Sequence, residues 1–156
     1  MNGLFTLFLD FDGVMVTKHS ELSSNGKTLD FDSVCIDNLK LIINEIKSKY
    51  GGINIIVVSN WRYDLEDTAI VDLLLNRSEL HEYLSEPDIT ILDRKCNKVK
   101  GISAYILENQ LTPTQCVIFD DEYLGEDLDG YQIRTRSEDG IRGLETLEGI
   151  VDEMHY

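Results

Sequence analysis

Positive charge is scarce in this chain. Fourteen lysines and arginines face 29 aspartates and glutamates, for a formal net charge of −15 over 156 residues. Broad, sequence-independent binding to nucleic acid needs a basic footprint, so that class is disfavoured. A local site where a metal ion reverses the sign is still compatible with the acidity. Elsewhere the charge is read as a solvated surface. Proline is nearly missing: Pro87 and Pro113 lie between periodic segments, where turns are expected, and no Pro-rich linker or internal repeat is present. No apolar run approaches the ~20 residues of a membrane span, so no membrane partner is expected. The N-terminus has no basic region followed by a small-residue cleavage site, so no secretory leader is expected either. Cysteine is limited to Cys35, Cys96 and Cys116, without a CxxC pair. Cys35 and Cys116 sit in apolar runs and are read as packing, in a reducing, cytoplasmic compartment.

What the chain does have is room for a core and a pattern to build it. Five short apolar runs read as strands: Leu4–Leu9, Ile53–Ser59, Ile89–Leu92, Cys116–Phe119 and Tyr131–Thr135. Most are continuously apolar rather than alternating, as in parallel strands buried on both faces. Helical periodicity lies between them. Ile36, Leu39, Ile42, Ile43 and Ile46 form one stripe, with Asp32 as N-cap and Gly51-Gly52 as stop. Further helices are predicted over Leu65–Leu75, over Val99–Leu107, and at the C-terminus through Leu144, Leu147, Ile150, Val151 and Met154. Strands alternating with helices imply right-handed β-α-β units. The predicted fold is therefore α/β, a three-layer sandwich around a mainly parallel five-stranded sheet.

Ligands in such folds sit at the carboxyl ends of the strands. The segment LFLDFDGVMV, Leu7 to Val16, places Asp10 and Asp12 at the end of the first strand. Ser59 ends the second, and Asp120-Asp121 follow the fourth. Carboxylates gathered that closely raise one another's pKa values or push the structure apart. A hard divalent cation resolves the conflict, and Mg²⁺ prefers oxygen ligands and bridges to phosphate. No His or Cys lies near these strand ends, and His19, His81 and His155 show no ligand spacing, so zinc is not expected. A carboxylate can attack phosphorus, which makes Asp10 the candidate nucleophile. Asp12 points the same way in an extended chain and is the candidate acid/base, with Gly13 allowing a sharp turn. Ser59 offers a hydroxyl to a phosphoryl oxygen. Lys98 and Lys100, with Lys95 nearby, are the candidates to neutralise charge on the transferring group. Arg62 is read either as a phosphate contact or as a structural ion pair. Asn60 is read as a substrate contact or a turn cap. Trp61 is read as packing beside the site rather than as a base-stacking platform. In the acidic run Asp120–Gly130, the residues Glu122, Glu126, Asp127 and Asp129 are read as a solvated loop.

These segments carry a resemblance. DFDGV after an apolar strand, then IIVVSN, KVKGISAYI and VIFDDE, resemble in order and spacing the four motifs of the haloacid dehalogenase-like (HAD) phosphohydrolases. The likeness covers nearly the whole chain. It implies a Rossmannoid fold and a Mg²⁺-dependent phosphatase working through an aspartyl-phosphate on Asp10. Asp12 would be the acid/base, Ser59 the phosphoryl contact and Lys98 the motif lysine. Asp10, the Asp12 backbone carbonyl and Asp120 would hold Mg²⁺, with Asp121 as a ligand or a partner of one. Asn60, Arg62 and Lys100 remain as substrate contacts. SNWR and the later RTRSEDGI further resemble the small HAD domains of Swiss army knife RNA-repair proteins, which implies phosphorylated nucleic-acid ends as substrates. A phosphoprotein, a nucleotide, or a non-catalytic phosphate-binding role is the alternative. Neither Val14–Phe31 nor Tyr63–Asn97 is long enough for an independently folded cap, so one capless domain with an open site is expected, and Val16–Leu29 is read as a small flap.

Overall fold

The computed structural model describes residues 4–22, 26 and 29–144. Among them the chain forms β1 (Phe5–Leu9), α1 (Ser33–Tyr50), β2 (Ile53–Val57), α2 (Asp67–Asp72), β3 (Ile89–Ile91), α3 (Lys98–Glu108), β4 (Cys116–Asp120), α4 (Glu126–Asp129) and β5 (Gln132–Arg134). The strands make one sheet in the order β3-β2-β1-β4-β5, and every neighbouring pair is parallel. This is the parallel five-stranded sheet that the sequence pattern implies, in the Rossmannoid arrangement that the resemblance to the HAD phosphohydrolases implies. β1 is buried along its whole length and lies at the centre.

Alternate residues of each strand serve opposite layers, because side chains on a strand repeat every two residues. Leu7, Leu9, Ile55, Val57, Val117 and Phe119 pack with the α1 stripe Leu39, Ile42, Ile43 and Ile46 and with Ile70 of α2. Phe8, Ile56, Cys116 and Ile118 pack on the other side with Ile102 and Ile106 of α3 and Leu128 of α4. Burying both faces accounts for strands without alternation.

The chain builds outward from β1 through β2 to β3, then returns to the far side of β1 for β4 and β5. The order reverses between β1 and β4, and a crevice for ligands opens at such a switch point. Registry brings the tips level: Leu9 lies beside both Val57 and Phe119.

Local chemistry sets the helix ends. Asp32 caps α1 by accepting from the Val34 amide at 2.9 Å, and Gly51 closes it by donating to the Lys47 carbonyl. Asn97 caps α3, accepting from the Lys100 amide at 2.9 Å. Gly101 lets α3 lie close to the end of β3, since a Cβ there would stand 2.9 Å from Leu92 side-chain carbons.

Some boundaries differ from the sequence pattern. The helix expected over Leu65–Leu75 is preceded by a 3₁₀ turn, Asn60–Tyr63, and begins only at Asp67. The Leu65 amide is already committed to the Trp61 carbonyl at 3.0 Å, which closes that turn. After Asp72 the chain widens into a π turn, Leu73–Arg77. Glu126, Asp127 and Asp129, expected in a loop, are exposed as expected but form one helical turn, because Leu124 and Leu128 anchor it in the core. The C-terminal helix expected through Leu147–Met154 lies outside the described residues. In the flap segment, Leu22 bridges to Leu29.

Candidate active site

Asp10 directly follows β1, and its amide still pairs with the Phe119 carbonyl of β4 at 3.1 Å. β4 ends on Asp120. Both carboxylates are therefore fixed by the sheet, and both are buried. α3 delivers Lys98 from its first residue, and its Nζ donates to Asp120 Oδ2 at 2.8 Å and to Asp10 Oδ2 at 3.3 Å. The remaining oxygens are held too: Asp10 Oδ1 accepts from the Phe11 amide and Asp120 Oδ1 from the Glu122 amide.

Asp121 completes the group. Carboxylate oxygens of Asp10, Asp120 and Asp121 lie within 4.8 Å of one another. Gly13 makes this approach feasible. It turns the backbone at φ +75°, and a Cβ there would fall 2.2 Å from Asp121 Oδ2. The turn is tied down at both ends, by three amides donating to the Phe11 carbonyl and by Thr135 Oγ1 donating to the Gly13 carbonyl at 2.6 Å.

The electrostatics follow from burial. Loss of water, then the charge of Asp120, push the Asp10 carboxyl up to about 7, although Lys98 and the Phe11 amide pull the other way. Asp121 is raised for the same two reasons in the same order. Burial works against the Lys98 charge, but Asp10 and Asp120 outweigh it and hold the ammonium above its usual range. One ammonium among three carboxylates leaves negative charge in excess. The donor set, all oxygen and without thiol or imidazole, fits a hard cation such as Mg²⁺.

The other sequence candidates separate. Ser59 is buried at the end of β2, and its Oγ caps the 3₁₀ turn by accepting from the Trp61 amide at 3.2 Å. Asn60 is exposed at the rim. Asp12 is exposed, and its carboxylate is not one of the clustered three: Oδ2 accepts from Trp61 Nε1 at 3.1 Å. Of the three lysines only Lys98 reaches the strand tips. Lys95 and Lys100 are exposed, and Lys100 lies about 200° further round the helix. Its expected place among the substrate contacts is not supported by this geometry.

Arg62 also requires correction. It is fully buried and makes neither a surface contact nor an ion pair among the described residues. Its guanidinium donates to the carbonyls of Val58, Ser59 and Cys96 and to the Tyr63 hydroxyl. Backbone acceptors at the end of β2 and in the loop before α3 have no ladder partner there, and the five-donor fork of arginine supplies one. Its role is to hold in place the loop that presents Lys98.

Sequence reasoning missed two links. The Trp61–Asp12 bond joins the tip of β2 to the turn after β1, and the only signal was an indole beside the site. Arg142 forms a two-bond pair with Asp32, Nε to Oδ2 at 2.7 Å and Nη2 to Oδ1 at 3.1 Å, with Thr17 Oγ1 also donating to Asp32 Oδ2. Nothing in the local pattern marks partners 110 positions apart.

A parallel α/β sheet with acidic strand tips and a helix-borne lysine defines the HAD-like class. Within it, the family model described as the HAD domain in Swiss Army Knife RNA repair proteins matches residues 6–144, and the chain belongs to that family. No curated protein and no solved structure matches it. Among the described residues no helix is long and apolar enough to cross a membrane.

Proposed function

We propose that the chain is a Mg²⁺-dependent phosphomonoester hydrolase working as one capless domain. The observation that carries this reading is the buried Asp10–Lys98–Asp120 group with Asp121 beside it. Asp10 and Asp120, the Asp12 backbone carbonyl and Asp121 hold the cation. When bound, it offsets the charge of the carboxylates and of a phosphoryl group.

An Asp10 oxygen attacks phosphorus while the bond from phosphorus to the ester oxygen breaks. Asp12 supplies the proton for that departing oxygen, and its link to Trp61 orients it with Oδ2 held and Oδ1 left to carry the proton. In the second half Asp12 takes a proton from water, the water oxygen joins phosphorus, and Asp10 is released with phosphate. Lys98 steadies the Asp10 carboxylate and the phosphoryl oxygens through both halves, and Ser59 lies within the same edge of the sheet.

The family's description makes a phosphorylated nucleic-acid terminus the first substrate to try, with nucleotides next. Three free cysteines accord with a reducing, cytoplasmic setting. The test is hydrolysis of an aryl phosphate with Mg²⁺, with EDTA, and by Asp10→Asn. Turnover that both chelator and substitution abolish is expected. Equal background in all three samples would leave only a phosphate-binding module.

A further inference from the structure

Hydrolysis at the strand tips makes no use of the cavity beside them. This cavity has a volume of about 470 Å³, within the ~300–1,000 Å³ of small-molecule sites. Val16, Trp61, Leu65 and Leu73 give it apolar walls, and Asp12 lies on the same lining. The cavity therefore begins at the carboxylate to which the departing oxygen's proton is assigned. Whatever is bonded to that oxygen has this space next to it.

Charge narrows the occupant. Asp64 and Asp72 join Asp12 on the lining, against a single cation, Arg77. Arg77 is already engaged by Asp30 at 3.0 Å. The Asp64 and Asp72 carboxylates repel a group with further negative charge and accept hydroxyl or amino donors. Apolar walls with an indole suit a flat ring.

We propose that this cavity is the leaving-group subsite, and that it takes an uncharged, ring-bearing alcohol whole, a nucleoside or an aryl alcohol. The proposal rests on the hydrolase reading above. It further implies that a terminal phosphate whose base is paired and stacked in a blunt duplex is a poor substrate.

Trp61 is the only tryptophan in the chain, so its fluorescence reports occupancy without catalysis. Uridine and phenol are titrated into the wild type and into Ala69→Phe, which fills the cavity from an exposed position of α2. The efficiency kcat/KM is then compared for uridine monophosphate, phenyl phosphate, methyl phosphate and a blunt-duplex 5′-phosphate. A saturable fluorescence change is expected, together with a preference for the ring-bearing esters that Ala69→Phe reduces by about tenfold or more. Saturation by uridine alone or phenol alone keeps the proposal and identifies the source of the ring. Flat titrations, equal efficiency with methyl phosphate, or a duplex end as good as the mononucleotide would overturn it while the hydrolase reading stands. Saturable binding with no ester hydrolysed would remove the hydrolase reading, and the leaving-group role with it.

Discussion

Asp12 and Trp61 illustrate how much one hydrogen bond can decide at the scale of the residue. The carboxylate is exposed, and among the described residues the indole Nε1 donor is what fixes its direction. Phe11 and Phe31 hold that indole in turn, at centroid distances of 5.2 and 6.0 Å. Trp61→Phe keeps the ring packing and removes the donor. It is expected to lower kcat by about tenfold, within the range that general acid catalysis contributes. The loss should be larger for alkyl phosphates than for 4-nitrophenyl phosphate, whose leaving group needs no proton. Equal losses for both would assign the indole a packing role only. The cysteines give a second expectation. Burial pushes the Cys35 and Cys116 thiols up to about 12, whereas Cys96 is exposed. The thiolate is the reactive form, so a disulfide reagent at neutral pH should label Cys96 alone in the native protein and all three in denaturant. Mass spectrometry of the labelled chain reads this directly.

At the scale of the element, the placement of Lys98 depends on a loop that has little structure of its own. Arg62 bonds the end of β2 to Cys96, two residues before Lys98. Arg62→Met keeps much of the volume but strands the buried Val58 carbonyl and the partly buried Cys96 carbonyl, while the Ser59 carbonyl keeps its bond from the backbone amide at position 62. With ~1–3 kcal/mol for each unsatisfied buried group, partly relieved by relaxation, a loss of about 3 kcal/mol is expected by urea denaturation. Activity should fall further than the unfolded fraction explains, because Lys98 is no longer presented. In the sequence, a cation three residues after a strand-end serine suggests either a phosphate contact or a structural ion pair. The sequence could not show that the β2 tip and the α3 loop converge on carbonyls without partners, since a carbonyl leaves no mark in the residue pattern. The choice among Lys95, Lys98 and Lys100 was open for a related reason. Spacing places all three near the start of a helix, and only the cap at Asn97 sets which face of α3 meets the sheet.

Across the whole molecule, Asp32 ties three distant segments together: the cap of α1, the loop at Thr17, and Arg142. Burial alone would raise its carboxyl. Bonds from Arg142, Thr17 and the Val34 amide outweigh that and hold it below the usual 3.8. A depressed carboxyl contributes stability that is fully present above the unfolded value and lost as pH falls through the folded one. The acid limb of the wild-type stability curve should therefore steepen below about pH 4, and Asp32→Asn should flatten it while lowering stability at pH 7. Thermal unfolding across pH measures both. An unchanged acid limb would mean that the pair does not hold in solution.

The sequence by itself determined the sheet, the order of its elements and the carboxylates at its tips. Those features follow from local rules: apolar continuity marks parallel strands, caps mark helix ends, and strand ends mark where ligands gather. Only the tertiary structure decided which lysine meets Asp10, that Arg62 braces carbonyls, that Trp61 aims Asp12, and that an apolar cavity opens beside it. Each of these depends on side chains from separate elements meeting at one point. A linear pattern records which residues are available, but not the angle at which one helix or turn lies against the next.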